Sequence, residues 1–219
     1  MSDPTPIAVL LSGRGSNFVA LQDAIEKGDL PCRIALVASN VEGAAGIDRA
    51  RAFGLETRVL PHRLEPSREA HEAKLDAALR ASGAAWICLA GYMRLLSPRF
   101  VSGWRERILN IHPSLLPAFP GLHPQRQALE AGVRVSGCTV HFVDEGLDSG
   151  PIVEQRAVPV LDEDDEATLA ARILAEEHRA YAAALGRLLS RSWAIEGKRV
   201  VFGRADSDEE GLDRSGDLS

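Results

Sequence analysis

Asn110 and His112 stand two residues apart at the end of an apolar run, Ile108-Leu109-Asn110-Ile111-His112-Pro113. Side chains i and i+2 of an extended segment face the same way, so this amide and this imidazole converge. Pro113 biases His112 toward an extended backbone. A histidine so placed serves as general acid or base near neutral pH. An asparagine amide donates a hydrogen bond to a developing oxyanion. The competing reading is a structural histidine beside a capping asparagine. The paired placement ahead of a loop holding Pro113, Pro117, Pro120 and Pro124 favours chemistry. A carboxylate partner for His112 is expected in Asp144-Glu145-Gly146-Leu147-Asp148-Ser149-Gly150-Pro151, a glycine-punctuated acidic loop. Residue pattern alone leaves Asp144, Glu145 and Asp148 equally open. Whichever faces the imidazole favours its protonated form and orients the ring.

Ser12-Gly13-Arg14-Gly15-Ser16-Asn17 is a second candidate site. It joins an apolar run to an amphipathic stretch, so free N–H groups at a helix N-terminus point at an anion. A plain strand-to-helix turn would also use glycine. Two glycines with Ser-Asn favour a monophosphate site. Phe18 leaves GxGxxG incomplete, and Ser39-Asn40 offers no carboxylate to a ribose diol, which weakens a dinucleotide reading. No GxxxxGK[ST] motif is present. Ser114 and Ser149 lie in no GxSxG elbow, and the remaining histidines show no HExxH-type spacing, so neither a serine hydrolase nor a metal site is expected.

These residues need strands to carry them. Short apolar runs at 7–11, 34–38, 57–60, 86–90 and 108–111 alternate with helical patterns at 18–26 and 69–81 and with a helix start at Ser97-Pro98. That alternation predicts a Rossmann-like α/β fold with a mostly parallel twisted sheet and flanking helices. In such sheets ligands bind at the carboxyl ends of strands, where Asn110, His112 and the glycine loop fall. Further on, 125–131 is helical, 136–143 alternates like a strand, 152–160 extends antiparallel or at an edge, and 165–189 is a long helix. Residues 193–195 and 199–202 flank Glu196-Gly197-Lys198 as a hairpin, completing antiparallel C-terminal strands in a single domain.

The 219 residues carry a net charge of −6, and residues 206–219 alone carry −5. The body is nearly neutral, so no basic field favours nucleic acid. The polar stretch 206–219 lacks apolar periodicity and reads as an acidic disordered tail on a domain spanning 1–205. Cys32, Cys88 and Cys138 are odd in number and form no CxxC, which argues against a disulfide framework or zinc ribbon and suits a reducing cytoplasm. The N-terminus lacks a basic n-region, and no apolar run reaches membrane-spanning length, so a cytoplasmic chain without membrane partners is expected.

The segments SGRGSN (12–17), SREAHE (67–72), AGYMRLLSPRFV (90–101), LNIHPSLLPAFPGLH (109–123), GCTVHFVDEGLDSGPIV (137–153) and AEEHRAY (175–181) closely resemble the phosphoribosylglycinamide formyltransferase family of folate-dependent enzymes in purine synthesis. The resemblance covers about Ile7 to Leu189. It implies formyl transfer from 10-formyltetrahydrofolate to the amine of glycinamide ribonucleotide, with no metal. Asn110, His112 and Asp148 match the family's catalytic residues, which selects Asp148 over Asp144 and Glu145. Gly15, Ser16 and Asn17 match the segment that holds the substrate phosphate, and Glu177 matches a ribose ligand. Arg68, Met93, Arg94, Leu95 and Leu96, with Asn110 and the loop Asp144, Glu145, Gly146, Leu147 and Asp148, match folate-site positions. Backbone groups of Arg94 and Leu96 would meet the pterin. The Leu116-Pro117 bond is expected to be cis. The implied partners are small molecules, and the implied assembly is a monomer or homodimer. Formyltetrahydrofolate hydrolase and methionyl-tRNA formyltransferase share the histidine site but carry an extra domain, for which the length is read as leaving no room. A non-catalytic nucleotide-binding module would not need the histidine–carboxylate pair.

Overall fold

The structure, a computed structural model, describes residues 3–203. The acidic tail expected over 206–219, and the last two positions of the 1–205 domain, lie outside the described residues. In chain order the elements are β1 (Thr5–Leu11), α1 (Ser16–Glu26), β2 (Cys32–Ser39), α2 (Ala45–Ala52), β3 (Thr57–Val59), a 3-10 turn (His62–Leu64) and α3 (Arg68–Ala81). There follow β4 (Trp86–Leu89), α4 (Pro98–Gly103), β5 (Ile108–His112), α5 (Pro124–Glu130), β6 (Val135–Phe142), β7 (Ile152–Pro159), α6 (Glu166–Ser190), β8 (Trp193–Glu196) and β9 (Arg199–Phe202).

The strands form one sheet in the order β3-β2-β1-β4-β5-β6-β7-β9-β8. The first five pair in parallel, and β6 runs antiparallel between β5 and β7. The β8–β9 hairpin joins the sheet through a parallel Ile152↔Arg199 contact, so β7 is an interior strand. Chain order reverses between β1 and β4. That is the topological switch point, and its crevice opens at the carboxyl ends of the strands.

Alternation within β1 builds both halves of the core. Ile7, Val9 and Leu11 face a cluster with Phe18, Leu21, Ile47, Leu169, Ile173, Tyr181 and Leu185, whereas Ala8 and Leu10 face Leu75, Leu79, Ile87, Phe100 and Trp104. Helices α1, α2, α5 and α6 therefore cover one face of the sheet, and α3 and α4 cover the other. Tyr181 in α6 is fully buried, and its hydroxyl lies 3.1 Å from the carbonyl oxygens of both Leu89 and Leu109. This pins the long helix to the two strands that lead into the crevice. No helix among the described residues is long and apolar enough to cross a membrane.

Local signals explain the helix starts. Ser67 accepts from the Ala70 N–H, Ser97 caps α4 ahead of Pro98, and Asp165 with Thr168 closes a capping box on α6. Helix α2 and the 3-10 turn are the elements the sequence pattern did not predict. Helix α2 has only eight residues, of which Gly46, Ile47 and Ala50 are buried, so its apolar face is too narrow to stand out.

Candidate active site

The carboxyl ends of β1, β4 and β5 converge on the crevice. After β1 the chain turns through Gly13 and Gly15 into α1. Gly15 occupies the helix-cap position at φ 72° and gives no side-chain cap to the first turn. No acidic residue occupies that turn, so its amides keep their capacity for an anion. The turn is packed tightly against α2. The Gly46 N–H donates to the Gly13 carbonyl at 3.0 Å, and a Cβ on Gly15 would lie 2.9 Å from Gly46 Cα. The unpredicted helix is thus the wall behind the glycine loop.

Asn17, 8% exposed, donates from Nδ2 to Glu177 Oε2 at 2.7 Å. Burial raises the Glu177 carboxyl above its ordinary value, and the Asn17 hydrogen bond opposes that rise. Asn17 Oδ1 is buried without a hydrogen-bond partner. Glu177 reaches the glycine loop across 160 residues of sequence.

Asn110 and His112 project from β5 onto one side of the sheet. His112 Nε2 donates to the Phe119 carbonyl at 2.9 Å, and Nδ1 lies 3.4 Å from Asp148 Oδ2. Both ring nitrogens face acceptors, and only the imidazolium can donate to both. Of the three carboxylates left open by residue pattern, Asp148 is the one at the ring. Asp144 accepts from the Gly146 N–H and the Ser149 hydroxyl inside its own loop, and Glu145 is exposed. The Asp148 carboxylate is oriented by the Gly121 N–H, 2.8 Å from Oδ2. Phe119 and Asp148 both have left-handed backbones, at φ 55° and 49°. Such non-glycine conformations cost about 1–3 kcal/mol and persist where surrounding contacts impose them. Here those contacts are the hydrogen bonds on His112 and Asp148.

His141 completes the arrangement. It is the register partner of Asn110 on β6, and Asn110 Nδ2 donates to His141 Nε2 at 3.2 Å. The other ring nitrogen donates to the Phe142 carbonyl at 2.8 Å. Burial depresses His141 below the ordinary histidine range, which keeps Nε2 an acceptor. Antiparallel pairing of β5 with β6 brings this histidine in, a long-range contact that residue spacing does not encode.

The segment Gly91–Leu96 follows β4, with Met93 and Leu95 exposed and Ser97 anchored on buried Glu72. Arg68, in the first turn of α3, is exposed. Leu147 is also exposed, at the tip of the loop that carries Asp148. The loop after β5 is clamped from below. Thr139 Oγ1 donates to the Ser114 carbonyl at 2.7 Å and accepts from the Leu116 N–H at 3.0 Å, and Gln155 Nε2 donates to the Leu116 carbonyl at 2.8 Å. The Leu116-Pro117 bond is cis. Burial pushes the thiols of Cys32, Cys88 and Cys138 up to about 12, so none is a ready nucleophile.

Comparison with known proteins places this site in context. A formyl transferase family model matches residues 5–185. The chain is 42% identical over 192 residues to phosphoribosylglycinamide formyltransferase of Escherichia coli strain K12, covering 88% of each. It superposes on the crystal structure of glycinamide ribonucleotide transformylase 1 from Symbiobacterium toebii with a TM-score of 0.90 at 48% identity, covering 92% of this chain and 95% of that one. It is 52% identical over 186 residues to the trifunctional purine biosynthetic protein adenosine-3 of Drosophila pseudoobscura pseudoobscura. The match takes in 84% of this chain but spans only 14% of that longer protein.

Proposed function

The chain belongs to the formyl transferase family, and on that premise we propose that it transfers the formyl group of 10-formyltetrahydrofolate to the amine of 5'-phosphoribosylglycinamide. The observation that carries this reading is the trio Asn110, His112 and Asp148 at the switch-point crevice, beside an uncapped glycine loop that reaches Glu177. Residues 1–205 form the formyltransferase domain in this reading.

The ribonucleotide phosphate docks on the amides of Gly15, Ser16 and Asn17, and Glu177 takes the ribose. Burial with Asn17 holds the Glu177 carboxylate in place for that contact. The folate lies across Met93, Arg94, Leu95 and Leu96, with Arg68 and the Asp144–Asp148 loop at its borders. The amine nitrogen attacks the formyl carbon, and the carbonyl electron pair moves onto oxygen. Asn110 commits one N–H to His141 and keeps the second for that oxyanion. Protonated His112 supplies the positive charge. Its Nε2–H donates to the Phe119 carbonyl and must leave that oxygen to reach the oxyanion. The intermediate collapses as the carbon–N10 bond breaks. The proton lost by the amine reaches N10 through a water positioned by Asp148, which also holds the imidazolium.

A spectroscopic formyl-transfer assay with both substrates tests the proposal in the parent and in His112→Ala. Transfer that requires both substrates and falls at least about a hundredfold in the variant supports it. Binding of the ribonucleotide without any folate binding, measured by calorimetry, refutes it in favour of a binding module.

A further inference from the structure

Ser12 is bonded to both ligand loops. It is the residue immediately before Gly13, so it moves with the glycine loop. Its own N–H donates to the Gly91 carbonyl at 3.0 Å, and its Oγ accepts from the Met93 N–H at 2.8 Å. A serine hydroxyl has one donor and two lone pairs. The donor is spent on Asn40 Oδ1 at 2.5 Å, which turns a lone pair toward Met93. Asn40 is 2% exposed at the end of β2, with its Nδ2 held 3.2 Å from His62 Nδ1, so it is a fixed acceptor. The Gly13 carbonyl in turn takes the Gly46 N–H, tying the same loop to α2. Main-chain and side-chain bonds of one residue therefore fix the loop proposed for the phosphate against the loop proposed for the pterin.

We propose that Ser12 is a positioning residue that couples the two substrate sites. It rests on the functional reading above for the identity of the ligands. When the phosphate draws the Gly15–Asn17 amides into register, Ser12 carries that ordering to Gly91 and Met93. The pterin then meets a preformed backbone edge and loses less freedom on binding. Coupling between binding sites is reciprocal, so the folate tightens the ribonucleotide by the same factor. Without the hydroxyl the Met93 N–H has no acceptor from the glycine loop, and the main-chain bond to Gly91 alone remains.

Calorimetry with tetrahydrofolate tests this, because the deformylated folate fills its site without turnover. In the parent, saturating glycinamide ribonucleotide should tighten tetrahydrofolate binding. Ser12→Ala should bring that coupling factor to about one and raise the KM for the formyl folate about three- to tenfold, with kcat within about twofold. Ser12→Thr, which keeps the hydroxyl, should restore most of the coupling. Asn40→Ala leaves Ser12 in place but removes its fixed acceptor, and should weaken the coupling even if Ser12→Ala fails to fold. A parent without coupling, either deletion variant with coupling intact, or a threonine variant as defective as alanine would overturn the proposal. A parent that binds both ligands with coupling but transfers no formyl group refutes the functional reading and leaves the coupling standing.

Discussion

Asp148→Asn separates charge from geometry at this site. Asp148 Oδ2 accepts the Gly121 N–H at 2.8 Å and lies 3.4 Å from His112 Nδ1, and Oδ1 lies 3.8 Å from His141 Nε2. An asparagine oxygen in the Oδ2 position keeps the first two contacts. Its NH2 then falls near His141 Nε2, whose lone pair already takes the Asn110 N–H. Shape and hydrogen bonding survive, and one negative charge is lost. At 3.4 Å and an effective dielectric of about 20, the direct attraction is about 5 kcal/mol. That is an upper limit, because both groups are largely desolvated. With about 1.4–4 kcal/mol of that attraction acting on the charge formed in the transition state, kcat should fall about 10- to 1,000-fold, with each KM within a few-fold. Initial rates of formyl transfer with each substrate varied in turn read both constants. Activity within twofold of the parent would refute the electrostatic role given to Asp148.

Four further outcomes follow from other contacts. Asn110→Ala should lose about 2.7–4 kcal/mol of transition-state stabilisation, read as a fall in kcat/KM, and a rate within a few-fold of the parent would contradict the oxyanion role. Gly46→Ala places a Cβ 2.7 Å from Leu11 Cδ2 and 3.2 Å from the Gly13 oxygen. Denaturant melts should show a loss of about 1–3 kcal/mol, and the KM for the ribonucleotide should rise more than that for folate. Glu72→Gln exchanges one of two acceptors for a donor facing the Ser97 hydroxyl and N–H. It should cost about 1–3 kcal/mol in stability and raise the folate KM selectively; equal effects on both substrates would show that Glu72 does not act through the 91–97 segment. Burial depresses His71, His141 and His178 below the ordinary value of about 6.5. The unfolded chain therefore binds protons that the native state refuses, so Tm should fall as pH drops from about 6.5 to 5, and a flat Tm would contradict that assignment. Glu177, raised by burial, acts in the opposite sense, its contribution fading as pH rises above the ordinary carboxyl range.

What was legible in the sequence had a local cause. Strands β1, β4 and β5 showed as short apolar runs because both faces of a parallel strand are buried. Helices α3 and α4 showed through caps that satisfy their own first-turn amides, and α6 through its long alanine-rich run. Asn110 and His112 were legible because alternation in one strand places them together. Asp148 was not separable from Asp144 and Glu145 on pattern alone, since the choice depends on how the 143–151 loop folds back and on a hydrogen bond from Gly121. The family resemblance selected it, and its Oδ2 lies 3.4 Å from His112 Nδ1. Residue pattern gave His141, Asn40 and Glu72 no role, and it showed Ser12 only as the first residue of the glycine loop. Each acts through a partner more than 20 residues away, in an antiparallel register or a loop-to-loop contact that spacing cannot reveal. The Phe119 carbonyl was equally invisible, being a backbone group presented by a left-handed residue. Helix α2 went unseen because a two-turn helix with glycine and alanine at its contact face makes little apolar pattern, although it backs the glycine loop.

The central claim is that this crevice moves a formyl group to an amine and does not merely release it to water. The most direct measurement is the fate of the formyl carbon. The parent enzyme is given 10-formyltetrahydrofolate labelled in that carbon, with and without glycinamide ribonucleotide, and label is followed in formate and in the formylated amide. The account predicts one labelled formylglycinamide ribonucleotide for each tetrahydrofolate produced, with negligible formate when the amine is withheld. Formate released at the same rate with and without the amine would contradict it and make the chain a hydrolase.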